Sequence, residues 1–123
     1  MRPDSDFSSF EGVPLVLASG IEIAGWEDAA PTATFDDGRL TGSTGCNRYT
    51  GPYSVEGETL ELGAVASTRM ACVPPADAVE RAFLAALERV ARWRSDVEGL
   101  VFLDDGDAEL LRFVVAAPPA DQD

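Results

Sequence analysis

The stretch Tyr49-Thr50-Gly51-Pro52-Tyr53-Ser54-Val55-Glu56-Gly57-Glu58-Thr59-Leu60-Glu61-Leu62 reads as strand, tight turn, strand. Leu60 and Leu62 alternate with Glu61, the period of two that sends apolar side chains to one face and polar ones to the other. Gly57, in the acidic turn Val55–Glu58, accepts positive φ without a Cβ clash, which suits a hairpin. The same grammar recurs outward along the chain. Asp36-Asp37-Gly38, Val97-Glu98-Gly99 and Asp104-Asp105-Gly106-Asp107 are further acidic-glycine turns between short apolar runs. They predict strands at Ala33–Phe35, Leu40–Thr44, Tyr49–Val55, Thr59–Leu62, Leu100–Leu103 and Leu110–Val115. The last two are the most uniformly apolar and should be central. A run from Leu15 to Ile23 predicts an earlier strand, broken near Gly20.

One segment departs from this pattern. Between Asp77 and Trp93, apolar residues fall at Val79, Phe83, Ala86, Leu87 and Val90, the spacing of a single helical face. Pro74 and Pro75 precede it, Asp77 and Glu80 have capping-box spacing, and Glu88 with Arg92 forms an i, i+4 pair. The expected fold is therefore mainly β with one helix: a small antiparallel, barrel-like sheet with the helix packed against one opening. The expected core is Leu15, Leu17, Phe35, Leu60, Leu62, Phe83, Leu87, Leu100, Phe102, Leu111 and Phe113, with parity able to exchange Leu110 for Leu111. Residues 1–12 read as a flexible lead-in despite Phe7 and Phe10, residues 13–115 as the domain, and residues 116–123 as an acidic tail.

The chain has 123 residues, room for one domain. It carries 22 acidic and 9 basic residues, all the latter Arg, for a net charge of −13. Such a surface repels phosphate backbones, so no nucleic-acid partner is expected. No apolar run is long enough for a transmembrane helix. Histidine is absent, which removes the commonest general base, the Ser-His and Cys-His nucleophile pairs and the commonest zinc ligand. Two cysteines cannot alone close a structural zinc site, so no metal or cofactor is expected. The Asp104–Asp107 turn lacks the D-x-D-x-D-G spacing and distant Glu of a calcium loop, and a solvated hairpin is the favoured reading.

Two stretches carry a family resemblance. One is Thr41-Gly42-Ser43-Thr44-Gly45-Cys46-Asn47-Arg48-Tyr49-Thr50-Gly51-Pro52-Tyr53; the other is Ala66-Ser67-Thr68-Arg69-Met70-Ala71-Cys72, leading into the helix with Glu80 and Phe83. In order and spacing, from about Val13 to Val115, they resemble the META domain family, the HslJ-like heat-shock modules. The resemblance implies a lipocalin-type β-barrel with a single helix, and an association with heat shock, antibiotic tolerance and envelope stress. It implies no catalytic activity. Related proteins are often exported or lipid-anchored. This chain as written opens without an apolar export signal or lipid-attachment cysteine, which sets a cytoplasmic location as the expectation. It also lacks a tryptophan in the first strand, the nearest being Trp26.

Within those motifs, Cys46, Asn47, Arg48, Tyr49, Thr68, Arg69 and Met70 are the candidate recognition residues. Each has a structural alternative. Gly42, Gly45 and Gly51 suit tight turns or close backbone approaches. Asn47 suits local backbone bonding or the left-handed region. Arg48 and Arg69 suit buried cross-links between the two motif loops, since a guanidinium offers five donors in a fixed fork. Tyr49, Tyr53 and Met70 suit core or barrel-mouth packing. Cys46 and Cys72, each in a family motif, are a candidate disulfide; two free thiols are the alternative.

Three functions follow. The leading one is a non-catalytic interaction or stability module, a monomer acting on an unidentified protein partner in stress. The second is a barrel holding a small hydrophobic ligand. The third is a carboxylate-based hydrolase, disfavoured because the acids sit at turn tips and termini.

Overall fold

The structure, a computed structural model, describes residues 7–97 and 99–116. The acidic start of the expected lead-in, Glu98 of the third turn and tail residues 117–123 lie outside the described residues. Nine strands run in chain order: β1 Leu15–Ser19, β2 Thr32–Asp36, β3 Arg39–Ser43, β4 Arg48–Glu56, β5 Thr59–Leu62, β6 Ala66–Ser67, β7 Arg92–Ser95, β8 Gly99–Leu103 and β9 Glu109–Val115. The α-helix α1, Ala76–Leu87, lies between β6 and β7, and a 3₁₀ turn spans Trp26–Ala29. No helix among the described residues is long and apolar enough to cross a membrane.

Eight of the strands close a ring. Starting at β1, the pairings run β1–β2, β2–β3, β3–β4, β4–β5, β5–β7, β7–β8, β8–β9 and β9–β1, all antiparallel. Closure leaves no edge around the ring, which is how an up-and-down barrel satisfies its backbone groups. β6 lies outside the ring order: it prolongs the line of β5 along β4, pairing Ser67 with Tyr49 and Ala66 with Thr50. The expectation of an antiparallel barrel with one main helix holds.

The barrel is filled. Phe7, Phe35, Phe102, Phe113 and Phe83 form a column of ring contacts with successive centroids 5.1, 5.9, 5.1 and 6.3 Å apart. Tilted and edge-to-face contacts of this kind add to the burial energy of each ring. Helix α1 closes one end through Val79, Phe83 and Leu87, all buried. Phe7 closes the other, against Tyr53 and Trp93 at 5.9 and 5.0 Å. Burying each such side chain contributes roughly 1.5–3 kcal/mol.

Of the expected core, all but Leu62 are buried, and Leu62 is half-buried. Leu110 and Leu111 are both buried, so strand parity does not choose between them. Residues 7–12 are not a loose lead-in. Phe7 and Phe10 are core residues, and Glu11 bridges to Phe35. Ring burial here outweighs the polarity of the flanking residues.

The helix is shorter than expected. It stops at Leu87, with the Glu88 N–H bonded to Leu84 O at 3.3 Å, and Trp93 belongs to β7. The pairing of β7 with β8 supplies partners for both strands and closes the ring, and this tertiary gain overrides the local helical period. The Glu88–Arg92 pair is consequently absent; Arg92 binds Glu58 at 2.6 Å and Asp107 at 2.8 Å instead. The capping box is absent too. The N-cap position is Pro75, without a side-chain cap bond, and Glu80 turns inward.

Candidate functional site

The two motif stretches meet at the helix-capped end of the barrel. Thr44 to Asn47 form a tight turn between β3 and β4, with Thr44 N–H donating to Asn47 O at 2.7 Å. The Thr44 hydroxyl accepts from the Cys46 and Asn47 N–H groups at 3.1 and 2.8 Å and donates to Glu80 Oε1 at 2.5 Å. Gly45 sits at φ +99, and a Cβ there would come within 2.4 Å of Ala29 O and 3.0 Å of Val79 Cγ1. The turn therefore needs glycine for both conformation and space.

Asn47 is the hub. It is 3% exposed, and with Thr44 it makes up the buried polar residues among those described. Its Oδ1 accepts from Met70 N–H at 2.7 Å and the Thr68 hydroxyl at 2.9 Å. Its Nδ2 donates to Met70 O at 3.2 Å and Glu80 Oε1 at 3.0 Å. One amide thus ties the first motif turn, the second motif segment and α1 together. Asn47 is not among the non-glycine residues at positive φ; its backbone bonds Thr44 locally, as expected, while its side chain reaches Thr68, Met70 and Glu80. Beside it, Cys46 and Cys72 are joined with their Cα atoms 5.9 Å apart, inside the usual disulfide span.

The arginines do the opposite of what their setting suggests. Arg48 and Arg69 are exposed, and neither guanidinium bonds to a described residue. The cross-link expected of them is made by Asn47, because a short planar amide fits a closed turn where a guanidinium on a long stem would not. Only the Arg48 backbone takes part, through its N–H to Thr68 Oγ1 at 3.2 Å and its C=O from Thr68 N–H at 3.0 Å. Met70 is 66% exposed, so its expected packing role is also absent. Tyr49 does pack as expected, against Phe83 at 5.4 Å, with its hydroxyl donating to Thr32 O at 2.7 Å. Burial pushes its phenol well above the ordinary range.

The result is a division within the motifs. Asn47, Tyr49, Thr44 and the disulfide are turned inward, while Arg48, Thr68, Arg69 and Met70 form an exposed rim, with Val73 beside them 77% exposed. Glu80 and Thr44 belong to the inner set and were missed as site residues. Glu80 was absorbed by its capping spacing, and nothing local pairs two residues 36 positions apart.

The acidic turns build nothing comparable. Asp104 Oδ1 accepts from Gly106 and Ala108 N–H groups, each at 2.9 Å, which with Arg89 nearby holds its carboxyl below the usual value. At the far end of the barrel, burial and the Glu11 carboxylate beside it push the Tyr53 hydroxyl up to about 12.

The family model of the META domain matches residues 10–117. An NMR structure of a protein from Burkholderia xenovorans shares the fold, with a TM-score of 0.74 and 23% identity over 93% of this chain and 88% of that one. A second NMR structure superposes with a TM-score of 0.66 and 19% identity, over 88% of this chain and 92% of the other. Likeness at such identities speaks for the fold alone. No protein among the curated ones matches the sequence. With a match that runs nearly end to end and both motifs in place, the chain belongs to the META domain family.

Proposed function

We propose that this META domain is a non-catalytic interaction module of the stress response, recognising a protein partner through the rim Arg48, Thr68, Arg69 and Met70. The observation that carries the reading is that Arg48 and Arg69 project to solvent without partners among the described residues. In a chain of net charge −13, several acidic residues in or beside the turns hold arginines, as at Arg89, Arg92 and Arg112. Two arginines left unpaired beside an exposed methionine fit a recognition surface, where Arg and Met are enriched. The filled aromatic column argues against the hydrophobic-ligand carrier, which needs an empty interior. The stress association enters through the family resemblance.

A photo-crosslinking amino acid placed at Met70, with the fully exposed Val97 as a control position, tests the reading under heat stress. Adducts at position 70 that are lost on Arg48→Ala or Arg69→Ala are expected. Equal adducts at both positions, or none, overturn it. Saturable one-to-one binding of a fluorescent fatty acid inside the barrel would favour the carrier instead.

A further inference from the structure

A groove runs between the segment Leu62–Ala71 and helix α1. Its apolar section, about 420 Å³, is lined by Leu62, Val65, Leu84 and Leu87, with Glu88 at its margin. Its polar section, about 360 Å³, is lined by Ser67, Thr68, Arg69, Met70 and Glu80. Leu84 lines both, so the two adjoin at that side chain.

One wall of this groove is an open strand edge. Thr68 N–H donates to Arg48 O at 3.0 Å, the bond that flanks the Tyr49–Ser67 pair of the β4–β6 ladder. In an antiparallel ladder bonded and non-bonded pairs alternate. Ser67, opposite Tyr49, therefore directs its N–H and C=O away from β4. No described residue pairs with those two groups. Ser67 lines the polar section of the groove, whose other wall is the Leu84 and Leu87 side of α1.

We propose that this edge is a strand-addition site for an extended acidic-apolar segment of a partner protein, laid antiparallel to β6 between β6 and α1. Strand addition supplies main-chain hydrogen bonds for affinity and alternate side-chain pockets for specificity. Charge sets the pattern. Among the described residues Arg69 is the one cation lining the groove, and Glu80 there is already engaged by Thr44 and Asn47. A carboxylate on the incoming strand belongs at Arg69, and the residues two and four positions later belong in the apolar section. Glu88 at that far margin rejects a second acidic group. The proposal rests on the reading of the chain as an interaction module, and specifies where and what it binds.

The capped peptide Ac-Glu-Thr-Val-Thr-Leu-Thr-NH2 and its counterpart with Lys for Glu serve as probes, titrated into isotope-labelled protein. Saturable amide shifts at Val65 and Ser67, with slowed exchange at Ser67, are expected with the Glu peptide. Arg69→Glu should weaken that peptide at least tenfold and reverse the preference toward the Lys peptide. Leu84→Lys should abolish binding of the Glu peptide while the protein stays folded, with its dispersed amide spectrum retained. Absence of shifts at Val65 and Ser67 overturns the proposal, as does binding that survives both variants. Concentration-dependent dimerisation that protects those amides would instead assign the edge to a second copy of this chain. If crosslinks at Met70 persist while neither peptide binds, the module reading stands and the strand-addition site falls.

Discussion

The side-chain amide of Asn47 grips the backbone of Met70 from both sides, Oδ1 accepting its N–H at 2.7 Å and Nδ2 donating to its C=O at 3.2 Å. This copies the pairing one strand residue gives another, and it anchors the second motif segment where no ladder reaches it. Asn47→Ala leaves those groups and the Glu80 carboxylate short of partners in a buried setting, so a loss of about 3 kcal/mol is expected in urea denaturation. A loss under about 1 kcal/mol would mean that the segment is held by other contacts.

Arg48→Ala and Arg69→Ala are expected to leave folding stability within about 0.5 kcal/mol of the parent, since exposed, unpaired side chains contribute little. Chemical denaturation of the two variants measures this. A large loss in either would place that guanidinium in the buried network after all.

The Cys46–Cys72 bridge closes a loop across a sequence separation of 26. In the chain-entropy model, such a loop stabilises the fold by about 3.5 kcal/mol. Intact mass under non-reducing conditions should fall short of the reduced mass by two protons, and the double substitution to Ser should lower the Tm. Two alkylatable thiols in the air-exposed folded protein would refute the bridge.

Phe7 closes the barrel end opposite α1 and touches Phe35, Tyr53 and Trp93. Phe7→Ala opens a cavity there, and a loss of about 3–4 kcal/mol is expected. Equal stability of Phe7→Ala and the parent would restore the picture of a loose lead-in.

Asp104 gives a pH-dependent readout. Its carboxylate accepts two backbone N–H groups, which depresses its folded pKa. A depressed value contributes stability above the unfolded aspartate pKa of about 3.9, and that contribution is lost as pH falls through the folded value. Protection of the Gly106 and Ala108 amides, read as exchange relative to the intrinsic rate at each pH, should therefore fall on acidification through the folded midpoint. A carboxyl midpoint in an NMR titration at or above 3.9 would contradict the role.

The sequence by itself determined the elements whose signal is local. Period-two alternation and acidic-glycine turns marked the hairpins at Asp36–Gly38 and Val55–Glu58 close to their observed places, and the Val79–Phe83–Leu87 spacing marked the buried helix face. The motif stretches marked the region of the site. Tertiary structure decided the rest, because the deciding partners are far apart in the chain. Trp93 fits a helical period as well as a strand, and only the need of β8 for a neighbour turns it into β7. Phe7 reads as part of a polar segment until the open barrel end offers it a pocket. Arginine and asparagine in the motifs carry similar hydrogen-bonding promise. Which of them turns inward depended on the room left between the Thr44–Asn47 turn, the Thr68–Met70 segment and Glu80, a space that only the closed barrel defines.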